Sequence, residues 1–145
     1  MMKIFTLILS LLLFMSSSCK KSGNAGTTAL LEQYFETNVL NRNFTVSKAL
    51  DSVTDLTANY TGYVFVLLKT DFYHGPLQAT KSGATFTGSW SSNDDYSKLV
   101  ISLPNPPSEF DFLSRDWRFT SKDFPTLKLA PWGSSDPLVL YMLRQ

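Results

Sequence analysis

Few residues in this chain have side chains suited to catalysis, and their spacing excludes most reactions. The sequence of 145 residues contains one histidine, His74, and one cysteine, Cys19. A single imidazole cannot complete a histidine metal site, and no serine can be placed with it as a nucleophile and base pair. We therefore predict that His74, near Asp71 and Tyr73, is an exposed turn residue rather than a general base or a metal ligand.

The acidic residues form two local groups, each of which has a functional interpretation. Asp94 and Asp95 could hold calcium, but the alternating ligands and distal glutamate of a calcium loop are missing, so a solvated hairpin tip is favoured. Glu109, Asp111 and Asp116 could supply the carboxylate pair of a glycoside hydrolase, but the exposed side of a short helix is the favoured location. The sequence therefore predicts no enzyme, no catalytic residue, no metal site and no cofactor.

Length and charge exclude further classes. The chain has the length of one domain, with 13 Lys plus Arg against 12 Asp plus Glu. Removal of residues 1–18 would take Lys3 with it and leave 12 of each sign. A surface that neutralises phosphates needs a clustered excess of basic residues, so we expect no nucleic-acid partner. One cysteine also excludes an internal disulfide and a thiolate-rich metal cluster.

The first residues have the pattern of an export signal. Met1–Lys3 supply a short positive start, Ile4–Met15 are mostly apolar, and Ser16–Ser18 are small. The apolar run is shorter than the roughly 20 residues that a membrane-spanning helix needs. We therefore predict a signal peptide over residues 1–18.

The end of this segment resembles the lipobox of bacterial lipoproteins. Ser17, Ser18 and Lys20 fit the lipobox pattern around Cys19, whereas Ser16 stands where leucine is usual. The resemblance implies that a diacylglyceryl group is attached to Cys19, that the chain is cleaved before it, and that the new amino terminus is acylated. The alternative is an ordinary secreted protein with a free thiol.

A lipid on Cys19 would hold the protein at a membrane, because two or more acyl chains make attachment stable. Residues 19–28 are predicted to be the anchor and a flexible tether, since "SGNAGTT" is small and polar. Lys20 is not the aspartate that in some Gram-negative lipoproteins signals inner-membrane retention, and no acidic pair resembling a surface-display signal follows Cys19. We therefore expect lipid anchoring at the outer membrane, with the periplasmic face preferred over the cell surface.

Hydrophobic spacing predicts one helix followed by strands. Apolar residues recur at helical spacing over residues 29–40, which predicts an amphipathic helix across the open end of a sheet or barrel. The period then changes to two, most clearly in "GATFTGSW" at residues 83–90. Seven or eight short strands, separated by turn residues and without alternating helices, favour an antiparallel barrel or sandwich.

Residues 104–116 interrupt the strand pattern. Pro106 and Pro107 can start but not continue a helix, Ser108 can cap it, and Phe110 and Leu113 then share one face. We predict a short helix inserted between strands. The folded domain is therefore expected to span residues 29–145 and to be mainly β.

The order of these motifs resembles the small lipocalin-like domain lipoproteins of Gram-negative bacteria. The resemblance covers about residues 44–143 and is carried by "DLTANYTGYVFVL", "TGSWSS", "FLSRDW" and "TLKL". It implies an antiparallel lipocalin-like barrel or half-barrel of about seven or eight strands, and no established reaction. The chain differs from the family where "DFYHG" replaces the usual "DGT" turn and where a helix replaces the first strand with its tryptophan. These differences leave the pairing of the first strand open.

Aromatic residues are the remaining candidates for a binding site. Six rings share one face of the predicted strands, namely Tyr63, Phe65, Phe86, Trp90, Trp117 and Phe119. They could line a cavity for an apolar ligand, but a barrel of about eight strands is only wide enough for its own side chains, which favours a packed core. Trp132, in "APWGSS", is either an exposed ring that stacks on a sugar or a partner, or a buried plug.

These observations favour a binding module over an enzyme. We expect a lipid-anchored cell-envelope protein, attached to the membrane through Cys19, that binds a small apolar or glycan-like ligand or an envelope protein partner without catalysis. The alternative is a structural interaction lipoprotein with a filled core and no ligand. An empty barrel interior would favour the first interpretation.

Overall fold

A computed structural model describes residues 23–121 and 123–145 of the chain. The predicted signal peptide over residues 1–18 and the predicted lipidation site Cys19 lie outside these residues. Within the described ranges, no helix has both the length and the apolar character required to cross a bilayer. The elements are, in chain order, α1 (Gly23–Asn38), β1 (Asn43–Asp51), β2 (Thr54–Asp55), a 3-10 turn (Thr57–Tyr60), β3 (Val64–Leu67), β4 (His74–Lys81), β5 (Ala84–Ser92), β6 (Lys98–Ser102), α2 (Phe110–Leu113), β7 (Asp116–Ser121), β8 (Thr126–Pro131) and β9 (Leu138–Arg144).

Eight of the strands close into an antiparallel barrel. Neighbours from β3 to β9 pair in sequence order, and β1 lies between β3 and β9. The closing register of β1 on β9 runs from Phe44 opposite Arg144 to Asp51 opposite Leu138. The short β2 folds back on β1 as an extra strand. The predicted mainly β class and strand number are confirmed, and the barrel is closed rather than a half-barrel, with its first strand paired along β9.

The β4–β5 hairpin shows how local sequence sets the register. Lys81 pairs with Ala84, so the loop consists of Ser82 and Gly83 alone. Both residues have positive φ, 51° and 83°. Two left-handed residues give a turn whose twist matches that of the flanking strands. The resulting register places Ala79 opposite Phe86 and Gly75 opposite Trp90.

The helix α1 begins earlier and ends earlier than its apolar spacing predicts. It starts at Gly23, so residues 23–28 are helical rather than part of the predicted tether, and it ends at Asn38 instead of residue 40. Adding a residue to an existing helix forms one hydrogen bond for each residue fixed, which allows weak helix formers to extend it. At the other end, Asn41 takes φ 56° and turns the chain into β1.

The two helices cover opposite ends of the barrel. Phe86 in β5 contacts Phe110 of α2, with ring centroids 5.3 Å apart, and Trp90 at the far end of β5 contacts Phe35 of α1 at 5.8 Å. We call these the α2 end and the α1 end. Phe35, like Phe110, is buried in one hydrophobic cluster that fills the barrel between them. The predicted inserted helix is confirmed as the single turn α2.

Replacement of Gly88 by alanine should destabilise the barrel, because the backbone at the end of β6 lies directly against it. A Cβ at Gly88 would lie 1.9 Å from the Ser102 carbonyl oxygen. We expect Gly88→Ala to lower the free energy of unfolding in urea by about 1–3 kcal/mol or more. The matched control is Gly26→Ala in α1, where a Cβ meets no atom within 4 Å. That variant should be unchanged or more stable by up to about 1 kcal/mol, and equal losses in the two variants would contradict the packing described.

The filled interior and a cleft at the α2 end

The six predicted interior rings come together in the core. Tyr63, Phe65, Trp90 and Trp117 are buried, while Phe86 and Phe119 are partly buried and pack against the same cluster. Phe110 from α2 lies among the rings at the α2 end, 5.2 Å from Tyr63 and 5.3 Å from Phe86 between centroids. Four surface pockets of 240 to 580 Å³ among the described residues are open to solvent, and none is lined by any of the six rings. The rings thus fill the interior.

The polar atoms of the buried rings are also occupied. Trp90 donates its indole N–H to the Leu68 carbonyl oxygen at 2.8 Å, and Trp117 donates to Leu113 at 2.9 Å. Both acceptors are backbone oxygens outside the strands that carry the tryptophans. A buried donor that is already paired offers nothing to a ligand, and breaking its bond would leave it unsatisfied. These bonds therefore tie the connections at the barrel ends to the core.

The largest of the four pockets is a cleft at the α2 end, with a volume of about 580 Å³. Clefts of this size hold small-molecule ligands in many proteins. It lies between the end of β1, the 3-10 turn and α2, and its lining residues are Asp51, Leu56, Asn59, Tyr60, Ser108, Glu109, Asp111, Phe112 and Arg115. We refer to this site as the α2-end cleft.

Two tyrosines fix the position of Glu109 in the cleft. Tyr60 donates its hydroxyl to the Glu109 carbonyl oxygen at 2.6 Å, and Tyr63 donates to the carboxylate at 2.9 Å. Burial raises the pKa of Tyr60 above its ordinary value, and the charge of Glu109 raises it further. Burial, followed by the hydrogen bond to Glu109, likewise raises the pKa of Tyr63. Both phenols are therefore protonated at neutral pH and donate hydrogen bonds to Glu109.

Arg115 is the one cation among the residues that line the cleft. Its guanidinium carbon lies 5.1 Å from the Phe112 ring centroid and 5.5 Å from that of Trp117. Its Nη2 donates to the Asp111 carbonyl oxygen at 3.4 Å, while its Nε is buried and has no hydrogen-bond partner among the described residues. The lining carries three carboxylates beside this guanidinium. The cleft therefore combines carboxylate acceptors with one cationic donor that stacks on aromatic rings.

His74 is the first residue of β4 and directly follows a polar turn. Its Nδ1 is 2.8 Å from an oxygen of Asp71, and both side chains are about half exposed. The backbone N–H of Tyr73 is the main cause that lowers the pKa of Asp71, and His74 contributes to the same shift. The predicted exposure of His74 is confirmed, but the residue is the first of β4 and pairs with Ser91 instead of lying in the turn itself. No group of three or more His, Cys, Asp or Glu residues suited to a metal ion occurs in the part of the chain that the structure describes.

The two groups of acidic residues predicted from the sequence lie in different parts of the barrel. Asp95 accepts hydrogen bonds from the backbone N–H and the hydroxyl of Ser97, at 2.9 and 2.6 Å, and closes the exposed β5–β6 turn beside Asp94. Glu109 and Asp111 line the cleft, but Asp116 does not: it pairs with Lys98 on the barrel wall at 2.6 Å. The three carboxylates at positions 109, 111 and 116 thus do not form one group.

Trp132 is on the surface. Its side chain is 40% exposed, and Lys98 Nζ lies 5.5 Å from its ring centroid. Of the two sequence interpretations, the exposed ring is the one that the structure adopts. Trp132 with the Lys98–Asp116 ion pair forms an amphipathic patch on the outer wall of the barrel.

Sequence reasoning missed Arg115 and Asp51 as cleft residues. They are 64 positions apart in the sequence, and they come together only because β1 ends at the α2 end of the barrel. The available signal was local: Arg115 is a lone cation within "DFLSRDW", between aromatic residues that the alternation places inside.

The buried phenols predict a loss of stability at high pH. Burial is the main cause that raises the pKa of Tyr60 and Tyr96, and a hydrogen bond to Glu32 raises the pKa of Tyr73 to about 12. The folded state therefore keeps protons that the unfolded chain loses above about pH 10. The contribution of these tyrosines to the free energy of unfolding should be constant below about pH 10 and should fall as the pH rises further.

This fall is measured by urea unfolding at about pH 8 and about pH 11. Tyr73→Phe should show a smaller fall than the unmodified protein, because it lacks one of the shifted phenols. An identical urea midpoint at the two pH values would contradict the packing of these side chains.

Comparison with known proteins gives no match: no protein-family model, no curated protein and no solved structure is similar to the chain.

Proposed function

We propose that the protein is a lipid-anchored module of the bacterial cell envelope that binds a hydroxyl-rich, glycan-like ligand by contact and without catalysis. The anchor is Cys19, and the membrane is the outer membrane, with the periplasmic face preferred over the cell surface. The observation that carries the binding proposal is the α2-end cleft of about 580 Å³ above a filled barrel. The anchor rests on the sequence of residues 1–21 and its resemblance to a lipobox.

The lining of the cleft favours a hydroxyl-rich ligand over an apolar one. Asp51, Glu109 and Asp111 supply carboxylate acceptors, and Asn59 and Ser108 supply groups that both donate and accept. A sugar presents hydroxyl donors and acceptors on several sides, which matches such a lining. The interior, by contrast, is occupied by aromatic rings whose polar atoms are already bonded. An apolar ligand would have to displace them.

A second candidate function is favoured by the filled interior and by the outer wall. Trp132 is exposed beside the Lys98–Asp116 ion pair. Tryptophan is enriched at protein interfaces because it offers a large apolar area with a polar edge. In this alternative the protein is a structural lipoprotein that contacts an envelope protein through the wall and binds no small ligand.

Replacement of Cys19 tests the anchor. We expect Cys19→Ala to move the protein from the membrane fraction to the soluble fraction, because no acyl chain can then be attached. The measurements are fractionation and intact mass, with Ser22→Ala as a matched control that keeps the cysteine. Membrane association of Cys19→Ala at the level of the control, or an uncleaved and unmodified leader in the unmodified protein, would contradict the anchor.

Replacement of one cleft carboxylate tests the binding site. Soluble oligosaccharides, with N-acetylglucosamine oligomers as the first probe, should shift the amide resonances of residues 56–60 and 108–115. Asp51→Asn keeps the shape of the side chain but removes its charge. We expect the dissociation constant to rise about tenfold, because a hydrogen bond to a charged group contributes about 1.5 kcal/mol or more.

Asp94→Asn, the same change on an exposed turn at the α1 end, is the control and should bind as the unmodified protein does. Palmitate serves as the apolar probe. Shifts with palmitate alone, centred on core residues, would overturn the glycan assignment, and no shift with any probe would favour the structural alternative.

A further inference from the structure

The outward face of α1 carries no charged residue. Six exposed residues share this face at helical spacing: Gly26, Ala29, Leu30, Gln33, Tyr34 and Thr37. Leu30 is 68% exposed and Tyr34 is 42% exposed, which are unusual values for large apolar side chains. A helix on the surface of a soluble domain ordinarily has charged residues opposite its buried side. The outward face of α1 therefore has the composition of a surface that contacts another molecule when the protein functions.

The charges of the helix are directed to the barrel rim instead. Glu32 accepts a hydrogen bond from the Tyr73 hydroxyl, and Glu36 forms an ion pair with Lys69. Both partners belong to the connection between β3 and β4. The carboxylates thus fasten α1 to the barrel and leave its outer face neutral.

The position of α1 in the chain indicates what covers this face. Cys19 and Gly23, the first residue of the helix, are four positions apart. Four residues span at most about 14 Å even when fully extended. A lipid on the Cys19 sulfur must enter the bilayer, so the start of α1 must lie within that distance of the membrane surface. Lys20 and Lys21 lie in this interval and would be attracted to anionic headgroups.

Two arginines border the other end of the same face. Arg42 donates to the Thr37 carbonyl oxygen at 3.1 Å, and Arg144 donates to the Asn38 side chain at 3.1 Å. They line a shallow pocket of about 420 Å³ with Thr37 and Asn38. Basic residues are thus present both before and after the neutral face. This distribution is complementary to a negatively charged lipid surface.

We propose that the outward face of α1 lies on the headgroups of the membrane that anchors the protein, with Leu30 and Tyr34 entering the interface and the α1 end directed to the bilayer. The α2-end cleft then faces away from the membrane, because α1 and α2 cover opposite ends of the barrel. This inference rests on the lipid anchor proposed at Cys19. It assigns α1 as a membrane-contact surface and sets the direction in which the cleft is presented.

The test uses the full-length, lipidated protein in vesicles of phosphatidylethanolamine and phosphatidylglycerol. Intact mass first establishes whether Cys19 is acylated. An environment-sensitive fluorophore is then attached to Gln33→Cys on the outward face, or to Val53→Cys as the matched control. Val53 is 99% exposed and belongs to the α2 end, between β1 and β2. The acylated Cys19 does not react, so each variant has one free thiol.

Lipids with a nitroxide on the headgroup should quench the label at position 33 several-fold more than the label at position 53. Adding Leu30→Glu to the Gln33→Cys variant should reduce that difference, because it places a charge in the contact. Equal quenching at the two positions in an acylated protein would overturn the orientation while leaving the anchor intact. Quenching at position 33 could instead depend on the density of protein on the vesicle and not on the nitroxide lipid. That result would assign the face to contact with a second copy of the chain and would also overturn the membrane orientation. An unmodified Cys19 would overturn both the proposed lipid anchor and the proposed orientation of α1 on the membrane.

Discussion

The pairing of β1 with β9 is the constraint on which the rest of the structure depends. It runs along almost the whole of both strands, and it converts a sheet with two open edges into a closed barrel. Closure of eight strands leaves an interior wide enough for side chains and little else. The aromatic residues that alternate inward must therefore pack against each other. Once they do, the interior is a core, and any binding site must lie on the outside or at an end.

The two ends of the barrel differ in surface chemistry, although each is covered by a helix. At the α1 end, Phe35 stacks on Tyr96 with centroids 4.4 Å apart and approaches Trp90, and the charged side chains of the helix are used in contacts with the rim. At the α2 end, a single helical turn inserts Phe110 and leaves carboxylates around a cleft. Both helices exclude water from the ring-filled barrel. The outer surface of α1 is neutral, whereas the surface around α2 is polar.

The sequence predicts the elements well and their three-dimensional neighbours less well. Alternation of period two is a local property, so most of the strands, the Ser82-Gly83 hairpin and the inserted helix could be found from the residues. The strand β4 could not, because Gly75 and Pro76 are typical of a turn and yet lie within it. The partner of the first strand could not, because pairing of β1 with β9 joins the two ends of the domain and leaves no local pattern. The start of α1 was misplaced because Gly23, Gly26 and Thr27 are weak helix formers, which extend an existing helix but do not nucleate one.

The candidate site shows the same division between local and distant information. The six core rings were identifiable as one inward set, and the size of an eight-stranded barrel correctly favoured packing over a cavity. The cleft was not identifiable, because it requires the end of β1 to meet the segment around α2, and Arg115 gains its orientation only from Phe112 and Trp117 after the barrel has closed. A charged residue between buried aromatics is nevertheless a local anomaly, since burying a polar nitrogen without a partner costs about 1–3 kcal/mol, and more when the group is charged. The guanidinium that bears this cost is the one that lines the cleft.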